Sequence, residues 1–265
     1  MANENETPRP QDPRHRESRD MLLRSHTPEA IADRLAAGPE HSYLKDFVYG
    51  AIDGTVTTFA VVSGVAGAQL SSGIVLVLGL ANLLGDGFSM AVSNFLGTRS
   101  EEELRERIRR REEWHVRVIP EGEREEIRQI FAAKGFEGED LERVVDVITS
   151  DVQQWVDTMV AEEYGLGLAG PSPWRAALST FTAFVLVGFL PLVSFVLTQL
   201  SVIDAARAFT WSAAMTAVTF FLIGAAKGRV VHGSWYRSGV ETLFVGGSAA
   251  AIAYIVGLLL RGIAD

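Results

Sequence analysis

Long runs without charged side chains constrain this chain more than any other feature. Residues 47–97 contain only two ionisable side chains, Asp53 and Asp86. Residues 176–226 contain two more, and residues 238–260 contain one. A helix needs about 20 mainly apolar residues to cross a bilayer, so these runs favour membrane spans over the buried helices of a soluble protein. The sequence predicts five transmembrane helices, at about residues 47–68, 73–97, 176–200, 206–226 and 239–260.

A strongly charged segment separates the second span from the third. Residues 98–165 carry 19 acidic and 11 basic side chains, with helical spacing. This pattern predicts an insert of about three helices that faces water. Residues 98–118 contain no helix breaker, so the second span can continue into water as one long helix. We therefore predict an all-α polytopic membrane protein with an N-terminal tail (1–42), two spans (43–98), a helical acidic domain (99–173) and three further spans (174–265).

Basic residues set the expected orientation. The N-terminal tail, the insert and the loop 227–238 are rich in Lys and Arg, and such segments stay on the cytoplasmic side. The sequence thus places the N-terminus and the insert in the cytoplasm and the C-terminus outside it. Residues 1–26 show no apolar period, so we expect no regular structure there. A short amphipathic helix is predicted from Pro28, with Thr27 as its N-cap.

The remaining composition excludes some classes of function. The net charge of −9 argues against a nucleic-acid partner. The chain has no cysteine, which excludes disulfides and thiolate metal sites.

The two acidic side chains of the first hairpin predict a cation site inside the membrane. Asn82, Asp86 and Met90 are four residues apart and share one helical face. In a hairpin that turns between residues 68 and 73, Asp53 lies at the depth of Asp86 and Met90. One ionised carboxylate in a bilayer costs at least about 2.5–3.5 kcal/mol, so the pair must be protonated, share a proton or bind a cation. Carboxylate and thioether ligands suit Fe(II) better than calcium or sodium, although Met90 can equally be a packing residue.

Paired ligands also recur in the insert. Glu112 and His115 are three residues apart, Glu123 and Glu126 follow Pro120 with the same spacing, and Met159 and Glu163 are four apart. Each pair lies on one helical face. Three such helices resemble the Glu and Glu-x-x-His arrangement of carboxylate sites for iron or manganese. A solvated acidic face explains the same spacing, so both interpretations remain open at this point.

Three segments together resemble the vacuolar iron transporter (VIT) family. They are YGAIDGTVTT at residues 49–58, DGFSM at 86–90 and AAKG at 225–228. The resemblance covers about residues 43–262, and we identify the chain as a bacterial-type member. It implies proton-coupled export of Fe(II), often also of Mn(II), from the cytosol into a vacuole or out of a bacterial cell. It also implies a homodimer with the pore between the subunits and the insert collecting metal at the cytoplasmic mouth.

The resemblance assigns roles by position. Asp53 and Met90 match pore residues of the family, and the matches to ligands of the insert are Glu112, Glu123, Glu126, Met159 and Glu163. Three positions depart from the pattern. Asn82 stands where plant members have a pore glutamate while Asp86 adds an acid, His115 replaces a glutamate, and Val160 replaces a second methionine. We include Asn82 as a residue of the pathway and His115 as a metal ligand.

The sequence thus predicts a transporter and no enzyme. Its cargo would be Fe(II) or Mn(II), exchanged for protons, and no prosthetic group is expected. We expect a multi-pass protein of the bacterial plasma membrane. Two alternatives remain: a membrane-anchored metal sensor without transport, and a di-iron oxidase built on Glu112 and His115. The oxidase does not need the two membrane aspartates, which would then be unexplained.

Overall fold

The computed structural model describes residues 19–37, 41–230 and 233–263, and no β-strand occurs in these ranges. The described chain forms eleven α-helices and ends in a short 3-10 helix, Arg261–Ile263. The α-helices are α1 (Arg19–Ser25), α2 (Pro28–Ala37), α3 (Leu44–Gly67), α4 (Ser72–Val118), α5 (Pro120–Ala133), α6 (Gly138–Thr149), α7 (Val152–Glu162), α8 (Pro173–Gly188), α9 (Leu190–Gln199), α10 (Ala205–Val230) and α11 (Trp235–Leu260).

Among the described residues, four helices are long and apolar enough to cross a membrane: α3, the first part of α4, α10 and α11. The pair α8 and α9 makes a fifth span if its two halves cross together. The all-α class and a set of apolar spans at the predicted positions are therefore confirmed. The protein is a multi-pass membrane protein.

The span predicted at residues 176–200 is not one straight helix. It consists of α8 and α9, which are bent by 46° at a break after Gly188. Pro191 near the start of α9 explains the break, because proline has no N–H to donate and its ring collides with the carbonyl group four residues earlier. The Pro191 carbonyl accepts a hydrogen bond from the buried Ser212 hydroxyl of α10, at 2.6 Å. The bend is thus fixed by a neighbouring span.

The second span continues without interruption into the charged insert. Helix α4 has 47 residues and corresponds to a rod of about 70 Å, whereas the bilayer core is about 30 Å thick. One rigid helix therefore carries both the membrane residues 82–90 and the residues 112–115 of the insert. The long helix expected from the absence of breakers up to residue 118 is present.

Close helix packing fixes the first hairpin against α8. A Cβ atom at Gly50 would lie 2.3 Å from the carbonyl oxygen of Thr180, so α3 and α8 touch through their backbones. At the same level, the Asn94 amide of α4 donates to Asp46 Oδ1 at 2.9 Å and to Thr180 Oγ1 at 2.8 Å. These hydrogen bonds connect α3, α4 and α8 about two helical turns from Asp53 and Asp86.

The insert has its own apolar core. The end of α4 and helices α5, α6 and α7 share a cluster of buried side chains: Ile108, Val116, Ile127, Val145, Ile148, Trp155, Val156, Met159 and Val160. Arg109 of α4 pairs with Asp157 of α7, and Arg124 of α5 pairs with Asp146 of α6. The segment between the second and third spans thus contains three short helices packed on the end of the long one.

The N-terminal segment differs in part from the prediction. Helix α2 begins at Pro28 as expected, and the Thr27 side chain accepts a hydrogen bond from the Ala30 N–H at 3.3 Å. Residues 19–25 form helix α1, so the expectation of no regular structure up to residue 26 is wrong there. Met21 and Leu23 give α1 a local apolar surface, although the segment is too short to show an apolar period. Residues 1–18 lie outside the described part of the chain.

Candidate metal sites in the membrane and in the insert

Two hydrogen bonds fix the register of the first hairpin. The Asn82 amide donates to the Thr57 hydroxyl at 3.4 Å, and the Asn94 amide donates to Asp46. Thr57 is thus level with Asn82 near one end, and Asp46 with Asn94 near the other. Four residues from the first bond along each antiparallel helix, Asp86 of α4 is level with Asp53 of α3. The predicted juxtaposition of the two membrane acids follows from this register.

The acids occupy different environments in the single chain. Asp53 and Met90 are half-buried between helices, whereas Asp86 is exposed at the side of α4. The Asp86 carboxylate is near enough to Asp53 for their charges to repel. Water does not solvate such a pair inside a bilayer, so a proton or a cation must compensate the charge. The two membrane carboxylates are therefore candidates for binding a divalent cation or protons.

Three side chains of the insert meet at one point. Glu112, His115 and Glu123 each offer a ligand atom, and these atoms all lie within 4.8 Å of one another. His115 Nδ1 is 3.2 Å from Glu123 Oε1 and 3.8 Å from Glu112 Oε2. Carboxylate oxygens and an imidazole nitrogen are suitable ligands for Fe(II), Mn(II) or Zn(II).

The two carboxylates of this cluster are deeply buried. Glu112 and Glu123 each keep only 1% of their surface exposed, and the Oε2 atom of each accepts no hydrogen bond from the described residues. The pKa of Glu123 is raised to about 7, chiefly by burial and then by the charges of Glu126, Glu112 and Glu163, in that order. Buried carboxylate oxygens without donors are costly unless a proton or a metal ion satisfies them.

The other predicted ligands surround this cluster or support it. Glu126 and Glu163 are close enough for their charges to act on Glu123, and burial also raises the pKa of Glu163. Met159 is fully buried in the apolar core of the insert, where it packs as a side chain of that core. The structure therefore joins Glu112, His115 and Glu123, places two further acids beside them, and gives Met159 a packing role.

Sequence reasoning missed several polar residues. Tyr164 donates a hydrogen bond to Glu112 Oε1 at 3.0 Å, and Arg111 Nε lies 3.4 Å from the same oxygen. Neither residue stands at a ligand spacing, so no sequence signal singled it out. Asp46 and Asn94 were missed as well. For Asn94 a signal existed, because it continues the series of Asn82, Asp86 and Met90 at intervals of four.

The chain resembles known proteins over most of its length. Residues 44–258 match the family described as the VIT family. A vacuolar iron transporter of Toxoplasma gondii is 36% identical over 225 residues, which cover 83% of this chain and 74% of the relative. Vacuolar iron transporter 1 of Arabidopsis thaliana is 34% identical over 221 residues (82% and 86%), and vacuolar iron transporter 2 of Oryza sativa subsp. japonica is 30% identical over 241 residues (90% and 93%). The matched range includes the five candidate spans and the insert, and the chain belongs to the VIT family.

Proposed function

We propose that this protein is a membrane transporter that exports Fe(II), and also Mn(II), from the cytosol in exchange for protons. The observation that carries the proposal is the pair of level acids, Asp53 and Asp86, beside Met90 within the membrane spans. The relatives named vacuolar iron transporter support iron as the cargo. The proposed activity is transport rather than catalysis, and it requires no prosthetic group.

The exchange follows from the chemistry of the membrane acids. A carboxylate in a low-dielectric site is stable only with a proton or with a cation. A metal ion that enters between Asp53 and Asp86 must displace the protons held there, and protons must return when the ion leaves. The thioether of Met90 adds a soft ligand that favours Fe(II) over magnesium or calcium.

The insert captures the cargo before it enters the membrane. Glu112 and His115 lie on the same continuous helix as Asp86 and Met90. Glu112 is 22 positions after Met90, which corresponds to about 33 Å along that helix. Glu126 and Glu163 add negative charge that attracts divalent cations to the cluster. The long helix thus connects a collecting site with the path through the membrane.

The distribution of basic residues supports the orientation. The insert carries the many arginines of α4, and Lys227, Arg229 and Arg237 lie at the facing ends of α10 and α11. Basic segments of this kind remain cytoplasmic. The insert then faces the cytosol and the C-terminus faces the other side. We place the protein in the plasma membrane of a bacterium, where export lowers cytosolic iron.

The active form we propose is a homodimer. In a single chain Asp86 is exposed on the side of α4, where it would contact lipid at a cost of several kcal/mol. Beside it runs an exposed series of small residues at intervals of four, formed by Ala81, Gly85 and Ser89. Small residues at this spacing allow two membrane helices to approach closely. A second copy against this face would cover Asp86 and complete the path between subunits.

Metal flux into proteoliposomes tests the function. Purified protein is reconstituted with a metal-quenched dye inside the vesicles and an imposed pH gradient, and Fe(II) or Mn(II) is added outside. We expect quenching that follows the gradient and disappears in the Asp53→Asn variant. Glu241→Gln is the matched control, because Glu241 is the one acid of α11, a span that carries none of the proposed pathway residues.

The outcomes separate the alternatives. Retained flux in Asp53→Asn would refute the assigned path. Metal binding without flux in the wild-type protein would instead identify a membrane-anchored sensor. Oxygen consumption with Fe(II), again without flux, would identify the oxidase.

A further inference from the structure

Two residues outside the ligand cluster hold one oxygen of Glu112. The Tyr164 hydroxyl donates to Oε1 at 3.0 Å, and Arg111 Nε lies 3.4 Å from the same atom. The Arg111 guanidinium also stacks over the Tyr164 ring, with its carbon 5.0 Å from the ring centre. The three side chains therefore form one connected unit on the outer side of Glu112.

The backbone at Tyr164 is anchored. The Leu166 N–H donates to the Val160 carbonyl at 3.2 Å, which closes the C-terminus of α7. Gly165 adopts φ +63, the left-handed conformation that such a helix end requires. Tyr164 stands directly before this glycine, so the helix end fixes the position from which its side chain reaches Glu112.

The unit leaves the other oxygen of Glu112 free. Glu112 Oε2 accepts no hydrogen bond from the described residues and lies 3.8 Å from His115 Nδ1. Glu123 Oε2 is also buried without a hydrogen-bond donor. Because Tyr164 and Arg111 occupy Oε1, Glu112 presents a single oxygen toward His115 and Glu123.

We propose that Tyr164 is a positioning residue for the metal site of the insert and makes Glu112 a ligand through Oε2 alone. This inference rests on the proposed capture of Fe(II) or Mn(II) by the insert. Without the phenolic hydroxyl, Oε1 loses the hydrogen bond from Tyr164 and keeps only Arg111 as a donor. The Glu112 carboxylate can then rotate. Groups that orient metal ligands in this way typically change metal affinity 10–100-fold when they are removed, and we expect a loss of that size in Tyr164→Phe.

Binding of Mn(II) to the full-length protein in detergent tests the proposal. Free Mn(II) is measured by its electron paramagnetic resonance signal, in an Asp53→Asn background that removes the membrane site. The variants are Tyr164→Phe, Glu112→Gln and the control Tyr236→Phe, a tyrosine at the start of α11 whose ring contacts Trp235 and Arg237. We expect about 10–100-fold weaker binding in Tyr164→Phe, unchanged binding in Tyr236→Phe and loss of the site in Glu112→Gln.

Other results would overturn the proposal and identify the cause. Wild-type affinity in Tyr164→Phe with loss in Glu112→Gln would remove the role of Tyr164 and leave the insert site in place. Wild-type affinity in both variants would remove the insert site itself. A Tyr164→Phe protein whose metal-free unfolding temperature falls together with its affinity would show a structural role only. Flux that depends on Asp53 is measured separately, so the transport function is judged independently.

Discussion

The Nδ1 atom of His115 lies 3.2 Å from Oε1 of Glu123, although the two residues belong to different helices. Helix α4 ends at Val118, and Pro120 starts α5 after a single linking residue. Proline at the first position of a helix has no N–H to leave unsatisfied and is already in helical geometry. The tight break turns the first turns of α5 toward the last turns of α4. The break at Pro120 therefore both ends the long helix and brings Glu123 of α5 next to His115 of α4.

The raised pKa of Glu123 predicts how the metal-free protein responds to pH. The pKa rises from the usual 4.5 to about 7, so the folded protein binds this proton more tightly than the unfolded chain. The free energy of unfolding should fall as the pH rises through this window, with the loss complete above about pH 7. Glu123→Gln resembles the protonated side chain. We expect it to raise the unfolding temperature at pH 8 and to leave it nearly unchanged at pH 4.5.

Thermal unfolding in detergent with a chelator measures this effect. The matched control is Glu125→Gln on the same helix, whose exposed carboxylate is paired with Arg128. Hydrogen bonds from Gln129 and Arg128 lower the pKa of Glu125, so its replacement should give no gain at pH 8. An equal gain in both variants would indicate a general charge effect instead of the burial of Glu123.

The same pKa predicts the pH dependence of metal binding to the insert. Below about pH 7 an incoming ion must displace the proton of Glu123. We expect the affinity for Mn(II) to fall about tenfold for each pH unit between pH 7 and pH 5, and to level off above pH 7. Titrations at four pH values in the Asp53→Asn background provide the measurement. An affinity independent of pH over this range would mean that Glu123 is not a ligand.

Much of the architecture could be predicted because the bilayer imposes a strict rule. Only runs that are long and apolar can cross it, so residues 47–97 indicated a hairpin without further information. Once the turn near residue 70 was known, the level of Asp53 against Asp86 followed from the rise of a helix. Helical spacing likewise placed Glu112 and His115 on one face.

Features that depend on tertiary contacts could not be predicted in this way. Tyr164 meets Glu112 from a distance of 52 residues along the chain, and no local pattern encodes that contact. The burial of Glu112 and Glu123 arises from packing of α5 and α7 on α4, whereas a surface rich in glutamate suggests exposure. The bend at Gly188 depends on Pro191, which a measure of apolar length does not register.

The contact between α3 and α8 predicts a loss of stability in Gly50→Ala. Alanine is better than glycine in a helix by about 0.8–1.0 kcal/mol, but its Cβ atom would lie 2.3 Å from the Thr180 carbonyl oxygen. Backbone cannot move aside cheaply, so the helices must separate and disturb the position of Asp53. Gly97→Ala is the control, because nothing lies within 4 Å of a Cβ atom at Gly97.

Scanning fluorimetry in detergent compares these two glycine variants. We expect Gly50→Ala to unfold at a lower temperature than the wild-type protein and Gly97→Ala to unfold at the same or a higher temperature. Flux should also fall in Gly50→Ala. A Gly50→Ala protein as stable as the wild type would show that the close approach of α3 and α8 is not needed.

The exposed small residues of α4 predict where two copies meet. Gly85 is exposed and nothing lies within 4 Å of a Cβ atom there, so a leucine at this position points into open space at the proposed interface. We expect Gly85→Leu to convert the dimer to a monomer and to abolish flux, because Asp86 then loses its cover. Gly247→Leu on α11 is the control. It is the same substitution at a glycine whose Cβ atom would also have nothing within 4 Å, and we expect it to keep the dimer. Native mass spectrometry from detergent gives the oligomeric state of each variant. If Gly85→Leu remains a dimer, the interface does not include this face of α4. The proposed path between subunits would then have to lie on another face of the molecule.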